Sequence, residues 1–210
     1  MEQIVIKKLA CKYSMSIPEN WDTIPRKVIS DKMGKEYDFD IALYPRTSNE
    51  YFQDYYVLVS FLPTNKSLNS FTFDAICSQV QQSNGQAQKT IGDSIKLSNV
   101  HTSTKVSKGK YNILTEIKAT KNSSDFMCLR DQYLTRYGFI CINCYKKTDC
   151  KIKLTEVDSL ITSHLIVQDK YEYFEPSSSS MFSISNIIIS LMVGGILYLI
   201  MTLFEKKGKK

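Results

Sequence analysis

Along the first half of the chain, apolar and polar positions alternate with a period of two in short blocks. From Cys11 to Ile17, Tyr13, Met15 and Ile17 interleave with Lys12, Ser14 and Ser16, the signature of a half-buried strand, and Pro18 closes it. Asp40 to Tyr44 and Tyr55 to Leu62 read as the next strands, the second rich in β-formers. After a polar turn from Thr64 to Ser70 the period changes. Phe73, Ile76, Cys77 and Val80 follow the i, i+3, i+4, i+7 spacing of a helix from about Phe71 to Ser83, with Asn84-Gly85 as its stop signal. Strands return at Ser94 to Leu97, Val100 to Val106, Tyr111 to Ala119, Asp125 to Arg136 and Phe139 to Lys146, with Arg136-Tyr137-Gly138 as the hairpin loop between the last two. A closing helix is predicted from about Thr155, with the Thr155 hydroxyl as N-cap and Val157, Leu160, Ile161, His164 and Leu165 on one face. Strands, helix, antiparallel meander, helix is the order of an α+β domain with helices packed on an antiparallel sheet.

From Tyr171 to Ser180 the pattern becomes that of a linker, and Met181 to Phe204 then forms the one long apolar run without a charge. As a helix rising ~1.5 Å per residue, this run reaches about 36 Å, enough to cross a hydrocarbon core of ~30 Å. The chain therefore divides into a domain over residues 1–170, a linker over 171–180, a single transmembrane helix over 181–204 and a basic tail over 205–210. Ser190 and Gly194 form a small-x-x-x-small pair that allows weak homo-association of the helix. Positive-inside counting would place the lysine-rich tail in the cytoplasm. Against this, Met1 to Cys11 holds no apolar stretch long enough for a signal-peptide core, so the expectation is a tail anchor with the large domain on the cytoplasmic side.

Composition adds that residues 1–170 suffice for an unstapled core: the whole chain is 43% hydrophobic, 23% charged and 11% aromatic. Half of the formal charge of +6 comes from the tail. The remaining lysines are scattered, which gives no support to nucleic-acid binding.

The segment Tyr13-Ser-Met-Ser-Ile-Pro-Glu-Asn-Trp21 resembles the opening strand of the PsbP/Mog type of α-β-α sandwich, in which an aromatic-led strand runs into Pro-x-x-Trp. Phe71 to Val80 is similar to that family's first major helix, and Thr155 to Ile166 to its closing one, so the likeness spans about residues 11–168. It implies a binding or accessory module. Members include a photosystem II accessory subunit and a Ran-binding nuclear transport factor, and the family offers no shared catalytic set to carry over. Trp21 maps onto the motif, with an expected structural role at the end of the sheet beside Pro18.

Candidate chemistry is sparse, and no catalytic, cofactor-binding or metal site is assigned. Hydrolase, Walker, dinucleotide and metalloprotease patterns are absent. His101 and His164 read as packed or surface residues. Asp38 and Asp40, separated by Phe39, share a strand face and read as an exposed pair that deters edge aggregation. The rival with chemistry in it is a membrane-tethered thiol-redox or zinc protein using Cys141, Cys144 and Cys150. Cys141-Ile-Asn-Cys144 falls in a predicted strand, however, where residues three apart point to opposite faces. Cys77 and Cys144 are then small core residues, and the other thiols stay reduced. The expected function is a membrane-anchored, non-enzymatic module with a protein partner.

Overall fold

A computed structural model of the chain describes residues 3–33, 38–64, 68, 73–90, 96–107, 110–121 and 124–173. It is an α+β fold of two antiparallel sheets. Strands β1 (Gln3–Lys7), β2 (Lys12–Ser16) and β10 (Leu165–Val167) form a three-stranded sheet in the order β1-β2-β10. Strands β3 (Trp21–Thr23), β4 (Ile41–Pro45), β5 (Tyr55–Pro63), β6 (Lys96–Ser107), β7 (Lys110–Lys121), β8 (Ser124–Thr135) and β9 (Gly138–Lys147) form a seven-stranded sheet in the order β3-β4-β5-β9-β8-β7-β6. Helices α1 (Arg26–Met33), α2 (Phe73–Thr90) and α3 (Leu154–Ser163) pack on this framework.

The alternation in β2 works as its sequence demands. Tyr13 and Met15 point inward from the small sheet into a cluster with Val59, Ile142, Val157 and Ile161, which joins the two sheets through α3. On the other face of the large sheet, α2 covers Ile113, Phe139 and Cys141, while Ile29 of α1 sits with Phe39, Leu58 and Tyr145. A central strand covered on both faces has no polar side to show, which is why Gly138 to Tyr145 is buried at every position.

Several sequence expectations shift. α2 does not stop at Asn84-Gly85 but runs on to Thr90, because the Asn84 amide is engaged by Thr102 and Thr115 of the sheet instead of capping the helix end. The strands expected at Ser94 to Leu97 and Val100 to Val106 are one strand with an irregularity between Leu97 and Asn99. α3 starts one residue early, its N-cap being an extended Lys153 without a side-chain cap bond, so Thr155 lies inside the helix. Its buried residues are Leu154, Val157, Asp158 and Ile161; Leu160 is exposed, His164 is the C-cap, and Leu165 already belongs to β10. Of the small sheet only β2 was expected; β1, β10, β3 and α1 match no predicted element.

Tyr171 to Tyr173, read as the start of a linker, packs on the domain. The Tyr171 carbonyl accepts from the Arg136 N–H at 2.7 Å, Glu172 bridges to Thr135, and Tyr173 is buried beside α2. The apolar run 181–204, with Ser190 and Gly194, and the tail 205–210 lie outside the described residues. No helix among the described residues is long and apolar enough to cross a membrane.

The β8–β9 turn, Arg136-Tyr137, ends on Gly138 at φ 156°, a conformation that L side chains rarely adopt. A Cβ there would stand 2.2 Å from the Leu62 carbonyl oxygen and 2.9 Å from the Phe61 ring. Gly138→Ala is therefore expected to cost about 2–3 kcal/mol, since both backbone strain and overlap with β5 oppose it. A urea midpoint matching that of the unchanged chain would show that the turn relaxes freely.

Candidate functional site

β9 sends Cys141 to the α2 side, beside Phe73 and Ile76, and Cys144 to the α3 side, beside Val157 and Ile161. The expected opposite facing of the two is thus observed, and the structure does not bring the pair to a common point. Cys150 follows the strand, half-buried, and its carbonyl accepts from Lys146 Nζ at 3.0 Å. Burial pushes the Cys141 thiol up to about 11 and holds that of Cys144 well above its ordinary value, so both are neutral thiols at physiological pH. Cys77 and Cys144 are core residues as expected, but Cys11, Cys128 and Cys141 are equally buried. A serine at 141 would bury a hydroxyl in the apolar cluster under α2, where its register neighbours Ser60 on β5 and Gln132 on β8 are the polar groups beside it. Cys141→Ser is accordingly expected to destabilise more than Cys141→Ala, by about 1–2 kcal/mol in urea unfolding; equal midpoints would mean that the hydroxyl finds a partner.

Asp38 and Asp40 are not the exposed pair that the sequence suggested. Asp40 lies just before β4, where its Oδ2 accepts from the Tyr13 hydroxyl at 2.6 Å and the Phe61 N–H at 2.8 Å, while Lys8 Nζ stands 2.6 Å from Oδ1. Its side chain is 4% exposed against 74% for Asp38. The hydrogen bond to Asp40 holds the Lys8 ammonium above its ordinary value, and burial, with Asp40 beside it, does the same for the Tyr13 phenol. Asp40 is a pin between the sheets. His101 is exposed on β6, and His164 Nδ1 lies 2.9 Å from the Leu160 carbonyl oxygen at the end of α3, so neither faces a core.

Two buried polar constellations were not anticipated. One is a row across the α2 side of the large sheet. The registers align Thr102, Thr115, Arg130 and Asn143 on β6, β7, β8 and β9. Asn84 Nδ2 donates to Thr102 Oγ1 at 2.9 Å, Arg130 Nε donates to Asn143 Oδ1 at 2.8 Å, and Asn143 Nδ2 reaches the Leu58 carbonyl at 3.5 Å. The row separates the apolar cluster under α2 from the one under α1.

The other constellation is a carboxyl pair on the opposite face. Asp131 of β8 is 0% exposed, and Asn112 Nδ2 donates to both of its oxygens at 2.8 Å. Asp158 of α3, 3% exposed, hydrogen-bonds to Asp131, while no donor reaches its Oδ1. Burial raises Asp131 to about 6, and burial together with the Asp131 charge raises Asp158 to about 8. Two buried carboxyls in contact cannot both ionise cheaply, so Asp158 keeps its proton and donates it toward Asp131. The sequence did carry a signal: Arg130-Asp131-Gln132 is a polar triplet inside a strand, and a triplet must place polar groups on both faces.

No protein-family model and no curated protein sequence matches the chain. Solved structures do. LpqN of Mycobacterium tuberculosis, described as involved in cell envelope biogenesis, superposes with a TM-score of 0.50 at 11% identity, covering 79% of this chain and 90% of that one. The cyanobacterial PsbP protein CyanoP of Synechocystis sp. PCC 6803 gives 0.48 at 14% identity, over 79% of this chain and 92% of that one. A Bacteroides thetaiotaomicron protein gives 0.38 at 11% identity, over 74% and 45%. What the chain has in common with LpqN is a fold, an arrangement of antiparallel strands with few helices.

Proposed function

We propose that this chain is a non-enzymatic binding or accessory module, tethered to a membrane by a single transmembrane helix over residues 181–204, with its folded domain on the cytoplasmic side. The observation that carries the reading is where the domain spends its reactive groups. Asp40, Arg130 and Asp131 are each bonded to neighbours inside the core, and the buried thiols are kept neutral and apart. Polar groups exposed to a partner stand instead on the open end of the large sheet. There His101, Ser103 and Lys105 of β6 share a face with Glu116 of β7, all exposed. A flat polar surface on a rigid sheet suits recognition of another protein better than it suits sequestered chemistry.

Membranes from cells making the full chain provide the test. Under alkaline carbonate the full chain should stay with the lipid, and a chain ending at Tyr173 should be released. A photoreactive side chain at Ser103 should give one discrete protein adduct, and Lys105→Glu should abolish it. Release of the full chain would remove the tether from the proposal, while adducts indifferent to Lys105 would remove the binding face.

A further inference from the structure

We propose that the outer face of the small sheet, with the β1–β2 turn at its tip, is a lipid-contact surface that lays the domain against an anionic bilayer; this deepens the tethered reading above and rests on it. The turn closes where the Lys8 N–H donates to the Cys11 carbonyl at 2.8 Å, leaving Leu9 and Ala10 as its central residues. Tight hairpin turns favour Gly, Asn or Asp, for their backbone freedom and their ease in water. Here the tip carries Leu9 at 103% exposure, the full surface of a leucine held out into solvent.

Behind the tip the registers lay down a basic row and then an apolar one. Lys7 stands directly across from Lys12, and Val5 and Ile166 flank Ser14 from either side. Val5 is 49% and Ile166 61% exposed, so this face shows its apolar groups to solvent while Ile4, Ile6, Tyr13 and Met15 fill the inner face. Directly opposed like charges are unfavourable in an antiparallel pair. Neither lysine has a carboxylate within 4.0 Å among the described residues, whereas the neighbouring Lys8 is taken up by Asp38 and Asp40. An anionic surface would relieve that repulsion. An apolar tip, a basic band and a second apolar row together match the interfacial layers of a bilayer, where acyl chains lie beneath anionic headgroups.

An acidic protein would also satisfy the lysines but gives no reason for Leu9 at the tip. Reach also favours lipid: the seven residues between Tyr173 and Met181, where the apolar run begins, span at full extension roughly 28 Å from one to the other, so the tether keeps the domain within its own diameter of the bilayer.

The test uses the full chain carrying Leu9→Trp, reconstituted in vesicles of phosphatidylcholine alone or of equal phosphatidylcholine and phosphatidylglycerol, each doped with a doxyl-labelled lipid. The unchanged chain supplies the Trp21 background. The added emission should be blue-shifted and quenched in the mixed vesicles, and much less so in the neutral ones. Adding Lys7→Gln and Lys12→Gln should weaken docking about thirtyfold, the effect of two lysines near an anionic surface. Carbonate extraction of the same vesicles reports the tether separately. Quenching without carbonate resistance would uphold the surface while removing the tether. An unquenched, unshifted emission in a carbonate-resistant chain would overturn the surface and leave the tether standing. A shift that appears only on adding polyglutamate would assign the face to an acidic polypeptide and overturn the lipid reading.

Discussion

Asp40→Ala is expected to cost about 3 kcal/mol of unfolding free energy, because it strips partners from three groups at once. The Tyr13 hydroxyl is buried in the core of the small sheet and loses its acceptor, the Phe61 N–H loses its acceptor at the edge of β4, and Lys8 loses its counter-ion. Lys8 is 34% exposed and can turn to water, so it adds little. Asp40→Asn keeps one acceptor oxygen and should fall between the alanine variant and the unchanged chain. Urea unfolding followed by Trp21, the single tryptophan, buried and 5.6 Å edge-on from Tyr55, reads the effect directly. A loss below about 1 kcal/mol would mean that the two sheets are held by apolar packing alone and that the pin is incidental.

Asp158→Asn should remove most of the pH dependence that the carboxyl pair imposes. In the unfolded chain Asp158 titrates near 3.8, whereas in the fold it is raised to about 8 and Asp131 to about 6. The fold thus retains protons that the unfolded chain has released. Their contribution to stability is complete below pH ~4, declines as pH rises, and is lost once Asp158 ionises near pH 8. At about 1.4 kcal/mol per pK unit, the rise at Asp158 alone corresponds to roughly 6 kcal/mol across the window. An asparagine keeps the shape and can still donate to Asp131, so the variant should lose most of the slope and be more stable than the unchanged chain at pH 9. Lys105 of β6, whose charge lowers both carboxyls, limits the gain. Stability curves that run parallel from pH 4.5 to pH 9 would show that the pair does not share a proton in the fold.

Both effects come from residues whose importance depends on their neighbours. Asp40 follows Phe39 in what looked like an ordinary strand edge, and it became a buried hub only because β1 and β2 fold back over it as a second sheet. Nothing local says that Leu165 to Val167 returns to pair with β2. The Asn84-Gly85 stop failed for a similar reason: two threonines from β6 and β7 offered the asparagine amide a better partner than the helix end did. The polar row has the same origin, since Thr102, Thr115, Arg130 and Asn143 lie on four strands and meet only through three hairpin registers.

The sequence by itself determined what short-range periodicity can carry: the meander from β7 to β9 nearly to its ends, the turn at Arg136-Tyr137, the apolar face of α2, and the facing of Cys141 away from Cys144. Each follows from side-chain direction along a single element, which two or four neighbouring residues fix. Only the tertiary structure decided which polar residues are buried, which strands form the small sheet, and that Val5, Lys7, Lys12 and Ile166 share one outward face around Leu9. Those outcomes depend on pairing between segments up to about 150 residues apart, and long-range pairing is chosen by the burial of the whole core rather than by any local preference.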